Sequence, residues 1–409
     1  MVSVWLLASA LIAVFMIIDG IALLLTKKPQ VKRILPERFA LNAEQNVELV
    51  FHNENRRTLA VEVFDGIPDW SVAEDFPWMG KLPANAEFHL RYPLRFVERG
   101  PASIQAAFLI MGSPMGLWQR RIRVAGESET KVYPDYSPVI QMALLATQSS
   151  RDQMGIRFQR RSGASREFLQ LREYQHGDAL NIVDWKSTSR HRKLISREFE
   201  EQRHQSIIFL LDTGRRMRAI DGNLPQFDHC LNAVLFVSYL ALNQGDQVAI
   251  MSFGGERRWL PPVQGPQSMP QVLNHLYDAF TSPVPSDYHE AAEQLMLRQK
   301  RRAMVVLMTN LRGDNPKELL GPMTLLRQRH HVILATLREQ EVEAMVRSEA
   351  HTLEDGLSVG AARLYMDERR MIAAELETLG IGVIDTTAAD FPVALANGYL
   401  ADRARGVMG

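Results

Sequence analysis

Two short segments of the chain carry side chains that could bind a metal ion. Asp212 ends the apolar run "IIFLLD", and Thr309 and Asn310 follow the apolar run "AMVVLM". In an open α/β sheet, ligands bind beyond the carboxyl ends of the strands, so the loops after these two runs are predicted to lie close together. Carboxylate and hydroxyl oxygens in that position would suit a hard divalent cation such as Mg²⁺.

The elements that must position these loops follow a repeating pattern. After Gln205, apolar runs typical of strands buried on both faces alternate with helix-prone stretches. "VAIMSF" and "RRWLPP" flank Gly254 and Gly255 as a predicted hairpin, and "HVILATL" and "GIGVID" supply two more strands. Repeated β–α units predict an α/β fold for residues 205–409, with a doubly wound, mostly parallel sheet and one antiparallel edge strand.

The N-terminal segment differs from the rest of the chain. From Val4 to Leu25 every residue is apolar or small except Ser9 and Asp19, and a cluster of lysines and arginines follows. About 20 apolar residues are enough to cross a bilayer as a helix. A signal peptide would have a shorter apolar region, with positive charge before it. Residues 1–30 are therefore predicted to be a single transmembrane helix, and the positive-inside rule places the remaining domains in the cytoplasm.

Two further segments separate the membrane helix from the C-terminal domain. Residues 31–125 are predicted to form a small all-β, sandwich-like domain, because runs such as "EFHLRYPLRF" alternate apolar and polar side chains between turn residues. Residues 126–204 form a connecting segment that is dense in charges of both signs. Such mixed-sign segments are usually solvated surfaces with weak ion pairs.

Composition excludes several classes of function. Lys+Arg and Asp+Glu both total 47, so no net charge attracts nucleic acid. Cys230 is the only cysteine, which excludes an intrachain disulfide and a cysteine-based zinc site. The sequence contains no P-loop, no H-E-x-x-H and no G-x-S-x-G motif. The chain is therefore predicted not to be an enzyme.

Several motifs carry a resemblance to known families. An apolar strand ending in Asp212, with a later strand ending near Thr309, resembles a von Willebrand factor A domain. Such domains hold Mg²⁺ in a metal-ion-dependent adhesion site. The segments "RGPASIQAAFLI", "SPMGLW", "REFLQLREYQHGDALNIVDWKSTSRHRKLISREFE" and "LLDTGRRM", in this order, resemble the bacterial membrane-anchored family called domain of unknown function 58.

This resemblance implies an architecture and a partner. Members have N-terminal membrane helices, a β-sandwich-like region and a von Willebrand factor A-like domain, and many carry two membrane helices where this sequence shows one. They are commonly encoded beside a MoxR-type AAA+ ATPase, with proposed chaperone-like or envelope-associated roles. The implied location is the bacterial inner (cytoplasmic) membrane, and the implied partners are that ATPase or other envelope proteins.

The resemblance also implies that the adhesion site is degenerate. Asp212 stands at the position of the first metal-binding aspartate, and Asn310, preceded by Thr309, stands where the second aspartate would be. In von Willebrand factor A domains the first aspartate is followed by x-Ser-x-Ser, and both serines bind the metal. Gly214 and Arg216 occupy these two serine positions here, so both hydroxyl ligands are missing. We expect no cofactor and no Mg²⁺, and Asp212 would be the metal ligand if any ion bound.

Two further expectations concern the neighbours of Asp212. The remaining threonine ligand of an adhesion site would come from a later loop, for which Thr281 is a guess. Arg215 or Arg216 is predicted to lie against Asp212 as a fixed internal cation in place of the metal. The loop would then be either a binding surface held in one state or a structural relic.

The central motif "GDALNIVDWKSTSRHRKL" has a structural and a functional interpretation. The structural one is an element that joins domains, in which acidic residues cap short helices and pair with arginines. The functional one is a docking surface for the ATPase, since arginine and tryptophan dominate interface energies. The candidate docking residues are Arg172, Asp178, Asp184, Trp185, Arg190 and Arg197.

Two classes of function therefore stand side by side. The favoured class is a membrane-anchored interaction or scaffold protein that works with a MoxR-type ATPase. The alternative is a metal-dependent hydrolase that uses Asp212, Asp178 and Asp184. Stabilisation by Mg²⁺ or Mn²⁺ that disappears in Asp212→Ala would favour the hydrolase.

Overall fold

The computed structural model describes residues 2–74, 76–134, 167–174, 183, 185–191, 193–200, 205–222, 224–311 and 316–406. The chain divides into two units, Met1–Ser137 and Pro138–Gly409. The predicted boundaries were 1–30, 31–125, 126–204 and 205–409. The apolar helix and the strands after it thus belong to one unit, which extends beyond residue 125.

The N-terminal unit begins with helix α1 (Val2–Leu24). Among the described residues it is the one helix that is long and apolar enough to cross a membrane, over Trp5–Leu24. By length and composition it could be a membrane anchor or a signal sequence. Most of its described side chains are exposed, as expected of a helix with no apolar partner along most of its length.

Two sheets follow α1 in the same unit. Their strands are β1 (Gln30–Ile34), β2 (Arg38–Ala40), β3 (Gln45–Asn53), β4 (Leu59–Gly66), β5 (Ser71–Ala73), β6 (Trp78–Leu82), β7 (Ala86–Phe96), β8 (Gly100–Gly112), β9 (Gln119–Ala125) and β10 (Ser128–Tyr133). One sheet has the order β1–β3–β7–β5 and the other β2–β10–β8–β4–β6, with β9 paired to β8. Side chains of the two sheets meet, because the Phe39 and Phe96 ring centroids lie 4.9 Å apart.

The alternation predicted for "EFHLRYPLRF" is present in β7. Leu90, Tyr92, Leu94 and Phe96 are buried, while the residues between them are more exposed. This two-residue period is what an antiparallel strand with one face on the core requires.

The first described elements of the C-terminal unit are two strands and a short helix. These elements are β11 (Glu167–Glu173), α2 (Trp185–His191) and β12 (Ile195–Glu200). β11 and β12 pair antiparallel in a sheet of their own.

Most of the remaining strands form a larger sheet, and helices lie between them in the chain. The strands are β13 (Ser206–Asp212), β14 (Ile220–Asp221), β15 (Leu224–Pro225), β16 (Gln247–Phe253), β17 (Trp259–Gln264), β18 (Met304–Met308), β19 (His331–Arg338) and β20 (Gly382–Thr387). The α-helices are α3 (Gln226–Asn243), α4 (Met269–Leu276), α5 (Tyr288–Arg298), α6 (Leu320–Arg327), α7 (Gln340–Arg347), α8 (Leu353–Thr378) and α9 (Phe391–Arg405). Short 3₁₀ helices lie at Arg215–Arg218, Pro266–Ser268 and Pro316–Leu319.

The six-stranded sheet has the order β17–β16–β13–β18–β19–β20. Its strands pair in parallel except β17, which pairs antiparallel with β16 through the predicted hairpin at Gly254 and Gly255. β13 and β18 lie in the middle and are buried along their whole length. Asp212 therefore ends a central strand, next to the residues that follow β18.

The fold class predicted for the chain, α/β with a doubly wound, mostly parallel sheet of the von Willebrand factor A type after a transmembrane helix and a small all-β domain, is wrong. The structure is mixed α and β with many antiparallel strands. Within the described N-terminal unit only β2 and β10 pair in parallel, and β11–β12, β14–β15 and β16–β17 are antiparallel as well. The prediction gave too much weight to the β–α alternation after Gln205. Short alternating strands joined by tight turns pair antiparallel, and they form much of the chain.

Candidate functional site

The loop after β13 is held to two other loops by Thr213. Its amide and its Oγ1 donate to the carbonyl of Phe253 at 2.8 and 2.7 Å, and Oγ1 accepts from the amide of Gly255 at 3.0 Å. Its carbonyl accepts from the amide of Ser282 at 2.7 Å. These hydrogen bonds fix the carboxyl ends of β13 and β16 against the segment that leads into α5.

Asp212 is fully buried, and its carboxylate accepts four hydrogen bonds from the chain itself. Oδ1 accepts from the amide of Gly214 at 2.8 Å and from the hydroxyl of Ser286. Oδ2 accepts from the hydroxyls of Thr309 at 2.6 Å and Tyr288 at 2.7 Å. A carboxylate offers about four lone-pair positions, so these donors fill them. We call Gly214, Ser286, Tyr288 and Thr309 the donor ring.

Tyr288 is placed in the donor ring by the start of α5. The Asp287 side chain accepts from the amide of Glu290 at 2.9 Å and caps the helix, so that Tyr288 is its first residue. The Tyr288 ring packs on Phe253, with centroids 5.5 Å apart. Burial, and then the negative charge of Asp212, raises the pKa of Tyr288 well above its usual value. The phenol therefore stays protonated and donates to Asp212.

Gly214 stands at a serine position of the adhesion-site pattern. The structure leaves no room for a side chain at this position. A Cβ on Gly214 would lie 2.1 Å from the Ser286 Oγ and 2.9 Å from the Val284 carbonyl oxygen. A Cβ on Gly254 would meet the same Ser286 hydroxyl at 2.1 Å. The Ser286 hydroxyl thus fills the space between two glycines and reaches Asp212 from there.

The predicted ion pair between Asp212 and Arg215 or Arg216 is wrong. Arg216 instead pairs with Glu318 at 2.8 Å, and its guanidinium carbon lies 5.4 Å from the centre of the Tyr288 ring. Neither arginine lies within 4.0 Å of the Asp212 carboxylate, as both belong to the described residues. Three hydroxyl groups and one amide provide the stabilisation that a cation was expected to provide.

The residues around Asp212 do not fit a divalent cation. A magnesium ion would need several oxygen ligands with open lone pairs in octahedral geometry. Both Asp212 oxygens already accept two hydrogen bonds each, and the guanidinium beside Tyr288 would repel a second cation. In the described part of the chain, no group of three or more histidine, cysteine, aspartate or glutamate side chains is arranged to hold a metal ion.

Thr309 and Asn310 point into two different networks. Thr309 belongs to the donor ring, whereas Asn310 is buried among other side chains. The Asn310 Nδ2 donates to Gln226 Oε1 and, at 2.9 Å, to Glu339 Oε1, while its Oδ1 accepts from Arg369 at 2.8 Å. The position compared with a second aspartate is therefore part of a structural hydrogen-bond network.

Arg369 is the internal cation of this second network. It lies on α8, is 1% exposed, and pairs with Asp385 at 2.7 Å and with Glu339 at 3.9 Å. It also donates to the carbonyl of Leu337 at 2.9 Å. Burial raises the pKa of the Glu339 carboxyl, but the Asn310 hydrogen bond and the Arg369 charge outweigh burial and leave it lowered. The network ties α8 to the ends of β18, β19 and β20.

Sequence reasoning missed the residues that complete both networks. Thr281 was the guess for the missing hydroxyl, but Ser286 and Tyr288 fill this position from the segment "PSDYH". The hint was present, since two hydroxyl residues flank a helix-capping aspartate just before a helix. Arg369 lies in the charged run "DERR" and gave no sign of burial.

A cleft of about 300 Å³ opens beside the donor ring. It is lined in part by Gly254, Gly255, Ser282, Val284 and Glu290. The segment that supplies Ser286 and Tyr288 therefore has one side on Asp212 and the other on this cleft.

The predicted docking residues are only partly described. Asp178 and Asp184 lie outside the described residues. The backbones of Arg172, Arg190 and Arg197 belong to β11, α2 and β12 respectively. Trp185 begins α2 and is 64% exposed, so it is available for contact rather than packed in a core.

A second surface was not predicted from the sequence. Along α8, Leu353, Leu357, Leu364 and Met371 are 82%, 67%, 61% and 64% exposed. At about 100° per residue these four lie within about 40° of one another around the helix. The buried residues of α8, among them Met366 and Arg369, lie on the opposite face. We call these four residues the α8 stripe.

Comparisons with known proteins give a family but no activity. Residues 170–392, more than half of the chain, match the family described as "Protein of unknown function DUF58". The "Uncharacterized protein YeaD" of Bacillus subtilis (strain 168) is 23% identical over 274 residues, which cover 65% of this chain and 63% of YeaD. The chain thus spans less than two thirds of the length of this relative.

Solved structures resemble only a small part of the chain. Native α2-macroglobulin from Escherichia coli, from domain MG7 to the C-terminus, is 15% identical and matches 27% of this chain and 17% of its own, with a TM-score of 0.24. A FixG-related protein from Vibrio parahaemolyticus is 9% identical and matches 26% of this chain and 98% of its own, with a TM-score of 0.20. These TM-scores are too low to carry an argument. From the family match, the chain belongs to the DUF58 family of proteins of unknown function.

Proposed function

We propose that this chain is a membrane-anchored interaction protein, in which α1 crosses the bacterial inner membrane and the C-terminal unit binds a protein partner in the cytoplasm. The partner that fits the family resemblance is a MoxR-type AAA+ ATPase, with a role in envelope-associated assembly or chaperone-like activity. In this proposal the chain acts by binding and not by catalysis.

The α8 stripe is the observation that carries the proposal. Four large apolar side chains lie in line on the exposed side of a helix, opposite its buried face. Such a surface is unfavourable in water and marks sites where another protein binds. An apolar groove or an amphipathic helix of the partner would cover it.

The geometry at Asp212 supports a role without metal chemistry. Its carboxylate accepts hydrogen bonds from the donor ring on both oxygens and lies away from solvent. A carboxylate that serves as a base or a metal ligand needs a free lone pair directed at the reacting atom or ion. The alternative, a hydrolase, would have to break one of these hydrogen bonds first.

Capture of the ATPase by the full chain tests the proposal. The full chain in detergent micelles is immobilised and incubated with the purified ATPase. We expect Leu357→Ser combined with Leu364→Ser to weaken binding by at least about tenfold, since full burial of one leucine side chain contributes about 1.5–3 kcal/mol. Leu297→Ser is the matched control, because Leu297 on α5 is 69% exposed and lies outside the stripe.

The folded state needs its own measurement. Serine at these exposed positions should leave the stability of the C-terminal unit within about 0.5 kcal/mol of the parent chain. Equal binding by the stripe variant and the Leu297→Ser control would show that α8 is not the docking surface. Absence of binding by the parent chain itself would reject the ATPase as partner.

A further inference from the structure

The apolar helix α1 is joined to the β8–β9 turn through a carboxylate. Asp19 lies within the apolar sequence of α1, yet it is only 2% exposed. Its carboxylate accepts from the Ser113 hydroxyl at 2.5 Å and from the amides of Met115 and Leu117 at 2.9 and 3.3 Å. These donors compensate the charge and cover it, which removes much of the cost of placing a carboxylate near lipid.

Two further contacts join α1 to the residues that follow the turn tip. The Trp118 indole Nε1 donates to the carbonyl of Met16 at 2.9 Å, and the Arg120 guanidinium reaches the carbonyl of Leu24 at 3.5 Å. At 1.5 Å per residue, Met16 and Leu24 are separated by about 12 Å along the helix axis. The turn therefore lies alongside the last two turns of α1 and reaches into the apolar segment.

The tip of this turn is apolar and exposed. Met115, Leu117 and Trp118 are 56%, 52% and 44% exposed, although their backbone or side-chain polar groups are bonded to α1 or within the turn. The adjoining part of α1 also exposes Ile17, Ile18 and Ile21. The turn and the helix thus expose apolar side chains next to each other, while the amides of Met115 and Leu117 and the Trp118 indole are hydrogen-bonded to α1.

Basic side chains follow where these exposed apolar side chains end. Lys28, shortly after α1, and Arg56 in the β3–β4 turn are exposed, and Lys27 is exposed and paired with Glu54 at 3.3 Å. The β3–β4 turn is held at this end of the helix because Asn55 bonds to the backbone of Lys27 at 3.0 and 2.9 Å. Cations just outside an apolar segment attract anionic lipid headgroups.

We propose that the β8–β9 turn, residues 113–118, is a second membrane contact that enters the boundary between headgroups and acyl chains beside α1. Its binding partner is the lipid bilayer, and the inference rests on the proposed membrane anchoring by α1. Tryptophan prefers this boundary, and apolar segments bury about 5–10 Å into it. The turn then fixes the height and orientation of the N-terminal unit on the membrane, with Asp19 as the link.

Depth-dependent fluorescence quenching of the full chain tests this contact. Cys230, the only cysteine, is replaced by alanine, and one cysteine is introduced by Met115→Cys, Leu11→Cys or Val97→Cys for labelling with an environment-sensitive fluorophore. Position 11 reports on α1, and position 115 on the turn. Position 97 is the control, because it is exposed at the other end of β8, roughly 40 Å away for 13 residues. The proteins are placed in vesicles of phosphatidylcholine and phosphatidylglycerol, with or without lipids brominated in the upper acyl chain.

The three positions separate the two proposals. We expect brominated lipid to remove about half of the emission or more at positions 11 and 115, because both would lie within acyl-chain depth, and none at position 97. Quenching at 11 without quenching at 115 would reject the turn as a membrane contact and leave the anchor intact. Absence of quenching at position 11 would reject both.

Discussion

Removal of the Tyr288 hydroxyl is the most direct test of the donor ring. Tyr288→Phe deletes one atom, and with it the hydrogen bond to Asp212 Oδ2 at 2.7 Å and the contact with Thr309 Oγ1 at 3.0 Å. The ring keeps its packing on Phe253. The substitution therefore changes the support of the carboxylate while the volume of the core stays nearly constant.

The expected loss follows from the burial and charge of the acceptor. A hydrogen bond to a charged group contributes about 1.5–3 kcal/mol. Asp212 keeps three donors in the variant, so the loss should stay below the 3–5 kcal/mol (an approximate range) typical of a buried charge that loses its partner. For a unit of this size, about 1 kcal/mol corresponds to roughly 2–4 °C, so the unfolding midpoint should fall by about 3–12 °C.

Two measurements together assign the change in stability to the C-terminal unit. Thermal unfolding of the full chain in detergent gives the midpoint, and hydrogen exchange of peptides from β13 and β18 assigns the change to the strands that carry Asp212 and Thr309. Tyr239→Phe is the matched control, since Tyr239 is half-buried on α3 and no hydrogen bond of its hydroxyl is found among the described residues. The control should change stability by less than about 0.5 kcal/mol.

A double-mutant cycle tests whether Tyr288 and Thr309 are coupled through the Asp212 carboxylate. Tyr288 and Thr309 donate to the same oxygen of Asp212, so the effects of Tyr288→Phe and Thr309→Val should differ from additivity by about 0.5 kcal/mol or more. If Tyr288→Phe cost no more than Tyr239→Phe, or the cycle were additive, the carboxylate would not depend on the donor ring.

Three other outcomes are expected. Mg²⁺ or Mn²⁺ at about 10 mM should leave the unfolding midpoint unchanged, whereas a site with a dissociation constant near 0.1 mM would add about 2.7 kcal/mol to the free energy of unfolding. A rise in the unfolding midpoint that Asp212→Ala abolishes would establish a metal site. Arg369→Met should destabilise the C-terminal unit by about 3 kcal/mol in urea unfolding because it leaves Asp385 and Asn310 without their cation, while the exposed Arg370→Met should change little. Burial, with the charges of Arg329 and Arg302, lowers the pKa of His330 to about 4. Below about pH 6.5 the unfolded chain therefore binds a proton that the native chain does not, and the free energy of unfolding should fall as the pH is lowered from about 6.5 to 4. His330→Phe should make the free energy of unfolding less dependent on pH in this range.

The sequence allowed the strands of the larger sheet and the place of Asp212 to be predicted. β13 and β18 are continuous apolar runs, and the glycine pair after Phe253 marks the hairpin. These features depend on local composition and on burial, which a sequence displays directly. The error in fold class has the same origin, because the β–α alternation after Gln205 was given more weight than the antiparallel strands that form much of the chain.

Two partners of Asp212, Ser286 and Tyr288, could not be predicted because they come from a distant loop, whereas Thr309 was expected near Asp212 because both follow apolar strands of one sheet. Ser286, Tyr288 and Thr309 follow Asp212 by 74, 76 and 97 residues. Nothing in the pattern of a polar loop states which carboxylate its hydroxyls will meet. The arginines next to Asp212 in sequence were the obvious candidates, but Arg216 pairs with Glu318 at 2.8 Å instead.

The carboxylates at the ends of β13 and of the neighbouring strands are stabilised in different ways. A lone buried carboxylate would cost several kcal/mol, and Asp212 avoids it through uncharged donors, whereas Asp385 and Glu339 avoid it through Arg369. Both solutions are internal to the fold, so each carboxylate is stabilised by groups of the chain itself. We expect a binding surface on this unit to be available without a bound metal ion, so that its use would depend on the presence of the proposed partner.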